Sequence, residues 1–388
     1  MSSSMNRRAW LKTSTMLTGG LTFLSGSLSG LAASASPRVL SKKILSDADI
    51  ERAAPPELKA RLFANENPFG PSEKAKKAIV DALNTSYQYA FRDIELMEEK
   101  IIAYEGLEKG TVLLSSGSSP ILMAAAMYFC KEGDSIVTAE PSYTDLPERA
   151  EEFKARVIKI PLTKDYKLDL DAMEKAIDKT TKLVYVCNPN NPTATIVDTA
   201  KLKDFCERVS KKVTVFVDEA YIDYLPDMQS VTLIDGVKKG QNIIVARTFS
   251  KLYGFAGLRI GYMIAPPEMV KKLKPYCVGD IAIASTSIAA ALASYQDKEF
   301  LQGAFQKTLA SKNYLYKVLR DEGYEYIPSA ANFVMFPIKM EGERFTKEMF
   351  KRGVGVRFWK FNDKNWCRVS IGRMDEMEAF AAAFKEIS

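Results

Sequence analysis

The chain has 388 residues, 47% of them hydrophobic and 26% charged, with a formal net charge of +6, a balance that suits one large globular domain with a smaller one. It contains no histidine, which excludes a Ser-His-Asp or Cys-His catalytic site and any His-ligated zinc. Its five cysteines, Cys130, Cys187, Cys206, Cys277 and Cys367, form no Cys-x-x-Cys pair and read as isolated thiols, and no basic block argues for nucleic acid.

Residues 1–35 read as an address. Arg7-Arg8-Ala9-Trp10-Leu11-Lys12 is followed by a mildly apolar stretch rich in Gly, Ser and Thr, then by Ala33-Ser34-Ala35, small residues suited to a cleavage site. The paired arginines point to the twin-arginine export machinery and a periplasmic destination. The glycines, the serines and the short apolar length count against a membrane-spanning helix. That route moves folded proteins, and it suits a protein that must acquire a cytoplasmic cofactor before it leaves. Beyond it we expect an N-terminal arm over 36–75, a large domain over 76–275 and a small one over 276–388.

Short apolar runs then alternate with amphipathic helices. Ser72 is placed to cap a helix with Ala75, Ala78, Ile79, Ala82 and Leu83 on one face. A second helix spans about 93–104 and stops at Gly106. Val112 to Leu114 and Ser135 to Val137 read as buried strands around an apolar helix over 121–130. Further strands are predicted at 157–158, 183–186, 213–217, 243–245 and 260–264. Leu202, Phe205, Cys206 and Val209 mark a helix face at i, i+3, i+4, i+7. This alternation predicts an α/β fold with a mostly parallel sheet flanked by helices, binding ligands at the carboxyl ends of its strands. After Pro275 the texture changes. Helices over about 286–295 and 301–320 precede short strands at 332–336, 354–358 and 367–370, a smaller α+β domain.

Several polar segments follow predicted strands. Ser116-Gly117-Ser118-Ser119-Pro120 opens a helix, with Ser119 as candidate cap, Pro120 in the first turn and outward amides suited to a phosphate. Asp218-Glu219-Ala220-Tyr221 puts a carboxylate at a buried strand end, where it needs a partner such as an aromatic nitrogen cation. Thr248-Phe249-Ser250-Lys251 puts a candidate nucleophilic amine beside hydroxyls, and Arg259 follows within Gly257-Leu258-Arg259-Ile260-Gly261. Alone, each is an ordinary helix start, a loop aspartate or a surface lysine.

In this order and spacing, with Asn65-Glu66-Asn67-Pro68, Asn188-Pro189-Asn190-Asn191-Pro192-Thr193 and Arg368-Val369-Ser370, they resemble fold-type-I pyridoxal-phosphate (PLP) enzymes of the class I and II aminotransferases, the histidinol-phosphate aminotransferase subgroup above all. The likeness spans about residues 61–373. It implies a PLP cofactor held by Lys251 as a Schiff base, with the freed amine as general base. It also implies Asp218 on the pyridine nitrogen, so that the ring is an electron sink, Asn191 and Tyr221 on the phenolate oxygen, and Tyr143 stacked on the ring. Ser118, Ser119, Thr248, Ser250 and Arg259 would hold the phosphate. Arg368 would clamp the substrate carboxylate with Asn67 and Asn191 nearby. Tyr89 would reach the neighbouring subunit's cofactor, which implies a homodimer.

The sequence departs from the family at Ala194, where relatives carry glycine, and at Ser119-Pro120, where many carry acidic residues. The run Arg357-Phe358-Trp359-Lys360-Phe361 either lines the substrate pocket, with Arg357 meeting a second acidic group, or packs as a strand edge. The expected reaction is ping-pong transfer of an amino group from an amino acid or related amine to a 2-oxo acid. The rivals are a decarboxylase or β-lyase on the same fold, and a non-catalytic exported binding protein on a retired one. Histidine synthesis is cytoplasmic, so an exported chain implies a donor other than histidinol phosphate.

Overall fold

The chain enters through a two-residue strand, β1 (Ala60–Arg61), the first element of the computed structural model, which describes residues 58–388. The export leader expected over 1–35 lies outside the described residues. Seven strands then make one sheet: β2 (Val112–Ser115), β3 (Ser135–Glu140), β4 (Arg156–Pro161), β5 (Thr181–Cys187), β6 (Thr214–Asp218), β7 (Ile243–Thr248) and β8 (Gly261–Ile264). Their order is β2-β8-β7-β6-β5-β3-β4. Pairing is parallel from β4 through β7, and β8 runs antiparallel to both β7 and β2. The expected α/β fold with a mainly parallel sheet is therefore present.

The inner strands are buried on both faces, which is why they read as near-continuous apolar runs, whereas the edge strand β4 is exposed or half-buried throughout. Alternate residues fall into different cores. Val184, Val186, Val215, Val217, Ile243 and Val245 pack on one side. Leu183, Tyr185, Cys187, Phe216, Ile244 and Ala246 pack on the other, against the helix Ser119–Phe129. Asp218 closes β6 in phase with Phe216, so it belongs to the face that carries that helix. Glu219 and Arg247 fall in the opposite phase.

On that opposite side Arg247 is buried between two carboxylates, bonding Glu105 through Nη1 at 2.8 Å and Glu219 through Nε at 3.0 Å. Glu105 ends the helix Phe91–Glu105, which stops at Gly106 in left-handed conformation (φ 64°). The network ties that helix to the ends of β6 and β7.

The predicted helices are present with small shifts. Ser72 caps Glu73–Ala82 by accepting from the Ala75 amide. The helix Thr199–Val209 buries Leu202, Phe205, Cys206 and Val209 as its spacing requires, and Asp198 caps it. One expectation fails in part: Leu83, the last residue of the expected apolar face, lies just past the Ser72-capped helix in a 3-10 turn and is 58% exposed.

The second sheet has the order β11-β12-β9, from β9 (Phe333–Ile338), β11 (Arg357–Phe361) and β12 (Lys364–Ser370), all antiparallel. The run expected as one strand over 354–358 is two. β10 (Val354–Gly355) pairs in parallel with β1, and β11 begins at Arg357. Gly355 leaves room for the Phe63 ring against β10, since a Cβ there would lie 2.6 Å from it. Asn362 and Asp363, both at positive φ, turn the β11–β12 hairpin. Phe336, Phe345, Phe380 and Phe384 fill the core behind this sheet, and Ala60 and Leu62 join it.

Candidate active site

A cavity of about 160 Å³ opens at the carboxyl ends of β5, β6 and β7. Ten of the eleven cofactor-binding residues expected from the sequence line it: Ser118 and Ser119 at the helix start, Tyr143, Asn191, Asp218, Tyr221, Thr248, Ser250 and Lys251 after β7, and Arg259. Cys187, Ala220 and Ala256 complete the wall. A larger cavity of about 660 Å³ beside Tyr166, Tyr326 and Trp366 contains none of these groups.

The base of the cavity is Asp218, buried at the end of β6. The Tyr185 hydroxyl donates to its Oδ2 at 2.9 Å, and the Ala220 amide donates to Oδ1 at 3.1 Å. Burial pushes the carboxyl up to about 6; the Tyr185 and Ala220 bonds and the charge of Lys251 pull the other way. Its negative charge is therefore costly until a cation arrives. Tyr221 sits above it, with its hydroxyl accepting from Asn65 Nδ2 at 3.0 Å and Lys251 Nζ lying 5.4 Å from its ring centre.

The opposite end is a cradle of hydroxyls, amides and one guanidinium. Thr248 Oγ1 donates to Ser250 Oγ at 2.9 Å, and Arg259 Nη1 reaches Ser250 Oγ at 3.3 Å. Gly117 (φ 94°) lets the guanidinium in, since a Cβ there would fall 2.3 Å from Arg259 Nη2. The helix cap is Ser118, not Ser119, and it makes no side-chain capping bond. Ser119 and Pro120 are the first helical residues, which directs the helix's opening amides toward the cavity.

Arg368 enters from β12. It donates to Asn191 Oδ1 at 2.7 Å and to the Phe63 carbonyl at 2.6 Å. Arg357 is its direct cross-strand partner, so both guanidiniums stand on one face of the small sheet. Both lie over the Trp359 ring, at 5.1 Å for Arg357 and 4.5 Å for Arg368.

Neither Arg357 nor Arg368 is part of the cavity wall, which Arg368 meets through Asn191, and Asn67 and Tyr89 are outside it too. Asn67 is buried with its amide spent on the backbone, donating to the Leu252 carbonyl at 2.6 Å and accepting from the Phe69 amide at 3.0 Å. Its neighbour Asn65 makes the contact with the site, linking Tyr221 to Ser370 Oγ. Its left-handed φ of 54° is a conformation asparagine tolerates, the one feature that could have marked it. Tyr89 is 70% exposed, outside the cavity, and packs on Phe91 at 5.5 Å. Ala194 does adopt positive φ, at 58°, and is fully buried. The backbone strain of about 1–2 kcal/mol is of the order of what its buried methyl contributes by packing.

The pattern of a buried carboxylate, a lysine and an arginine-lined cradle at the ends of parallel strands is that of a fold-type-I cofactor enzyme. The family model for aminotransferase class I and II matches residues 59–384. A histidinol-phosphate aminotransferase of Moorella thermoacetica is 35% identical over 333 residues, covering 84% of this chain and 85% of its own. Histidinol-phosphate aminotransferase 1 of Cupriavidus pinatubonensis is 37% identical over 333 residues, covering 84% and 87%. The crystal structure of histidinol-phosphate aminotransferase from Sinorhizobium meliloti in complex with pyridoxal-5′-phosphate superposes with a TM-score of 0.81 at 25% identity, over 91% of this chain and 98% of that one. The chain belongs to the class I and II aminotransferases, and it is a PLP-dependent aminotransferase. The cavity fits that cofactor: a costly carboxylate stands at one end for a pyridinium and a guanidinium cradle at the other for a phosphate, with a lysine on the wall between.

Proposed function

We propose that the enzyme transfers an amino group to a 2-oxo acid from a donor bearing a strong acidic group, held by Arg368 and Arg357. The observation that carries this reading is the placement of the two guanidiniums opposite each other on β11 and β12, with Arg368 bonded to Asn191 of the cavity. A planar fork binds a carboxylate or phosphate through two parallel bonds. Holding a carboxylate in place also favours transamination over its loss as carbon dioxide. The relatives are named for histidinol phosphate, a phosphorylated amine of this kind; because export separates this chain from histidine synthesis, other phosphorylated or dicarboxylic amines are the first donors to try, with histidinol phosphate as the comparison.

Bound PLP supplies an electron sink for the charge that develops at the donor's α-carbon. Lys251 is the anchoring amine, and its Nζ then moves the proton at that carbon. Asp218 would hold a proton on the pyridine nitrogen through its negative charge. Asn191 and Tyr221 would hydrogen-bond the ring oxygen, and Tyr143 would pack on the ring. Ser118, Ser119, Thr248, Ser250 and Arg259 would hold the phosphate, Arg259 by charge. Because the chain lacks histidine, the lysine amine serves as its general base.

The site works in a homodimer. Tyr87, Tyr89 and Phe91 are exposed together with Val80 and Leu83, an apolar stretch suited to a second copy, from which Tyr89 would reach the neighbouring cofactor. The arginine pair at 7–8 and the leader over 1–35 support export through the twin-arginine machinery to the periplasm. Fractionation that recovers the chain in the cytosol with its N-terminus intact would overturn that.

The test is spectroscopic. The purified protein supplied with PLP should show a visible absorbance band that Lys251→Ala abolishes. An acidic donor should bleach the band and a 2-oxo acid restore it. Arg357→Ala should raise the KM of that donor about tenfold with little change in kcat, the loss of one charge-assisted contact. Absence of the band in the wild-type protein, or bleaching that no 2-oxo acid reverses, refutes the assignment.

A further inference from the structure

Tyr185 stands in the middle of β5, paired with Phe216 and fully buried among apolar residues. A phenylalanine would pack there as well, and a buried hydroxyl is costly unless bonded. The hydroxyl is bonded to Asp218. With the Ala220 amide on the other oxygen, both ends of the carboxylate are held, which fixes its plane. Among the groups that face Asp218, Cys187 shares its strand position on β5, Tyr143 and Asp145 come from the segment after β3, and Tyr221 and Lys251 from the loops after β6 and β7. Burial, and then the charge of Asp218, push the phenol well above its ordinary value, so it stays protonated and donates. No histidine exists in the chain to do this instead.

We infer that Tyr185 is a positioning residue for the cofactor, its hydroxyl keeping Asp218 ionised and turned to receive the pyridine nitrogen. This rests on the role given to Asp218 above. Loss of the hydroxyl raises the Asp218 carboxyl further, since the bond favours the charged form. A neutral acid no longer holds the ring proton, so both cofactor affinity and the low-pH limit of the bound state change.

The experiment uses the full chain and PLP itself. Tyr185→Phe removes one oxygen and keeps the packing. It should bind PLP about tenfold more weakly, the loss of a hydrogen bond to a charged group. The acid transition in the absorbance of bound PLP should move to higher pH. A fluorotyrosine at position 185, a stronger donor, should move that transition to lower pH. It also carries the test should the phenylalanine variant fail to fold. Unchanged affinity and an unchanged transition in both variants, with Asp218→Asn impaired, would show that Tyr185 only packs and leave the Asp218 role standing. If Asp218→Asn also behaves as wild type, the Asp218 assignment itself fails, and this inference with it.

Discussion

Asp218 is a residue whose local cost serves its chemistry. Its carboxyl stands near 6 when folded, chiefly through burial, against about 3.9 in an unfolded chain. The folded form therefore holds the proton more tightly. The resulting stabilisation of the cofactor-free protein is full below about pH 4 and is lost as pH rises toward 6. Above that the buried charge costs about 2–3 kcal/mol. Asp218→Asn should then melt higher than the wild-type protein at pH 8 in the absence of PLP, with the difference vanishing near pH 4, while its PLP affinity falls. Melting curves at the two pH values, with and without cofactor, check the sign. Such an exchange of stability for binding is common at active sites.

At the scale of elements, the site depends on how strand ends are held. Arg247 joins the helix Phe91–Glu105 to the ends of β6 and β7, beneath Asp218 and Thr248. Removing one partner of a buried ion pair leaves uncompensated charge and typically costs about 3–5 kcal/mol. Arg247→Met, which strands both Glu105 and Glu219, should lower the denaturation midpoint by an amount in that range. A drop no larger than that of a surface substitution would show the network to be dispensable. The second sheet makes a different use of pairing: cross-strand register on β11 and β12 sets Arg357 beside Arg368 over one indole.

For the whole molecule, the exposed stretch from Val80 to Phe91 calls for a second chain in the proposed dimer. Sedimentation should give twice the chain mass. Tyr87→Asp with Phe91→Asp should give monomers that bind PLP weakly, whereas Tyr89→Phe should keep the dimer and weaken only the cofactor. A wild-type protein that sediments as a monomer and still transaminates would refute the shared site.

Much of this was legible in the sequence because the signals are local. The strands are short apolar runs between helix faces of period 3.6, as Leu202 to Val209 illustrates, and the order of the polar segments after them carries the family likeness. Lys251, Asp218 and Arg259 follow from that order. Hydrogen bonds across distant segments were not legible. Nothing in β5 as a string distinguishes Tyr185 from a core aromatic until β6 lies beside it. Asn67 looked like the contact with the site, yet the turn gives that place to Asn65 and spends Asn67 on Leu252. The division of 354–361 into β10 and β11 shows only once β1 and β12 are in place to pair with them. By itself, then, the sequence determined the fold class, the cofactor chemistry and the residues able to perform it, because periodicity and motif order are properties of the chain. Only the tertiary structure decided which oxygens, amides and guanidiniums meet, because those contacts join residues far apart in the chain, 305 positions for Asn65 and Ser370.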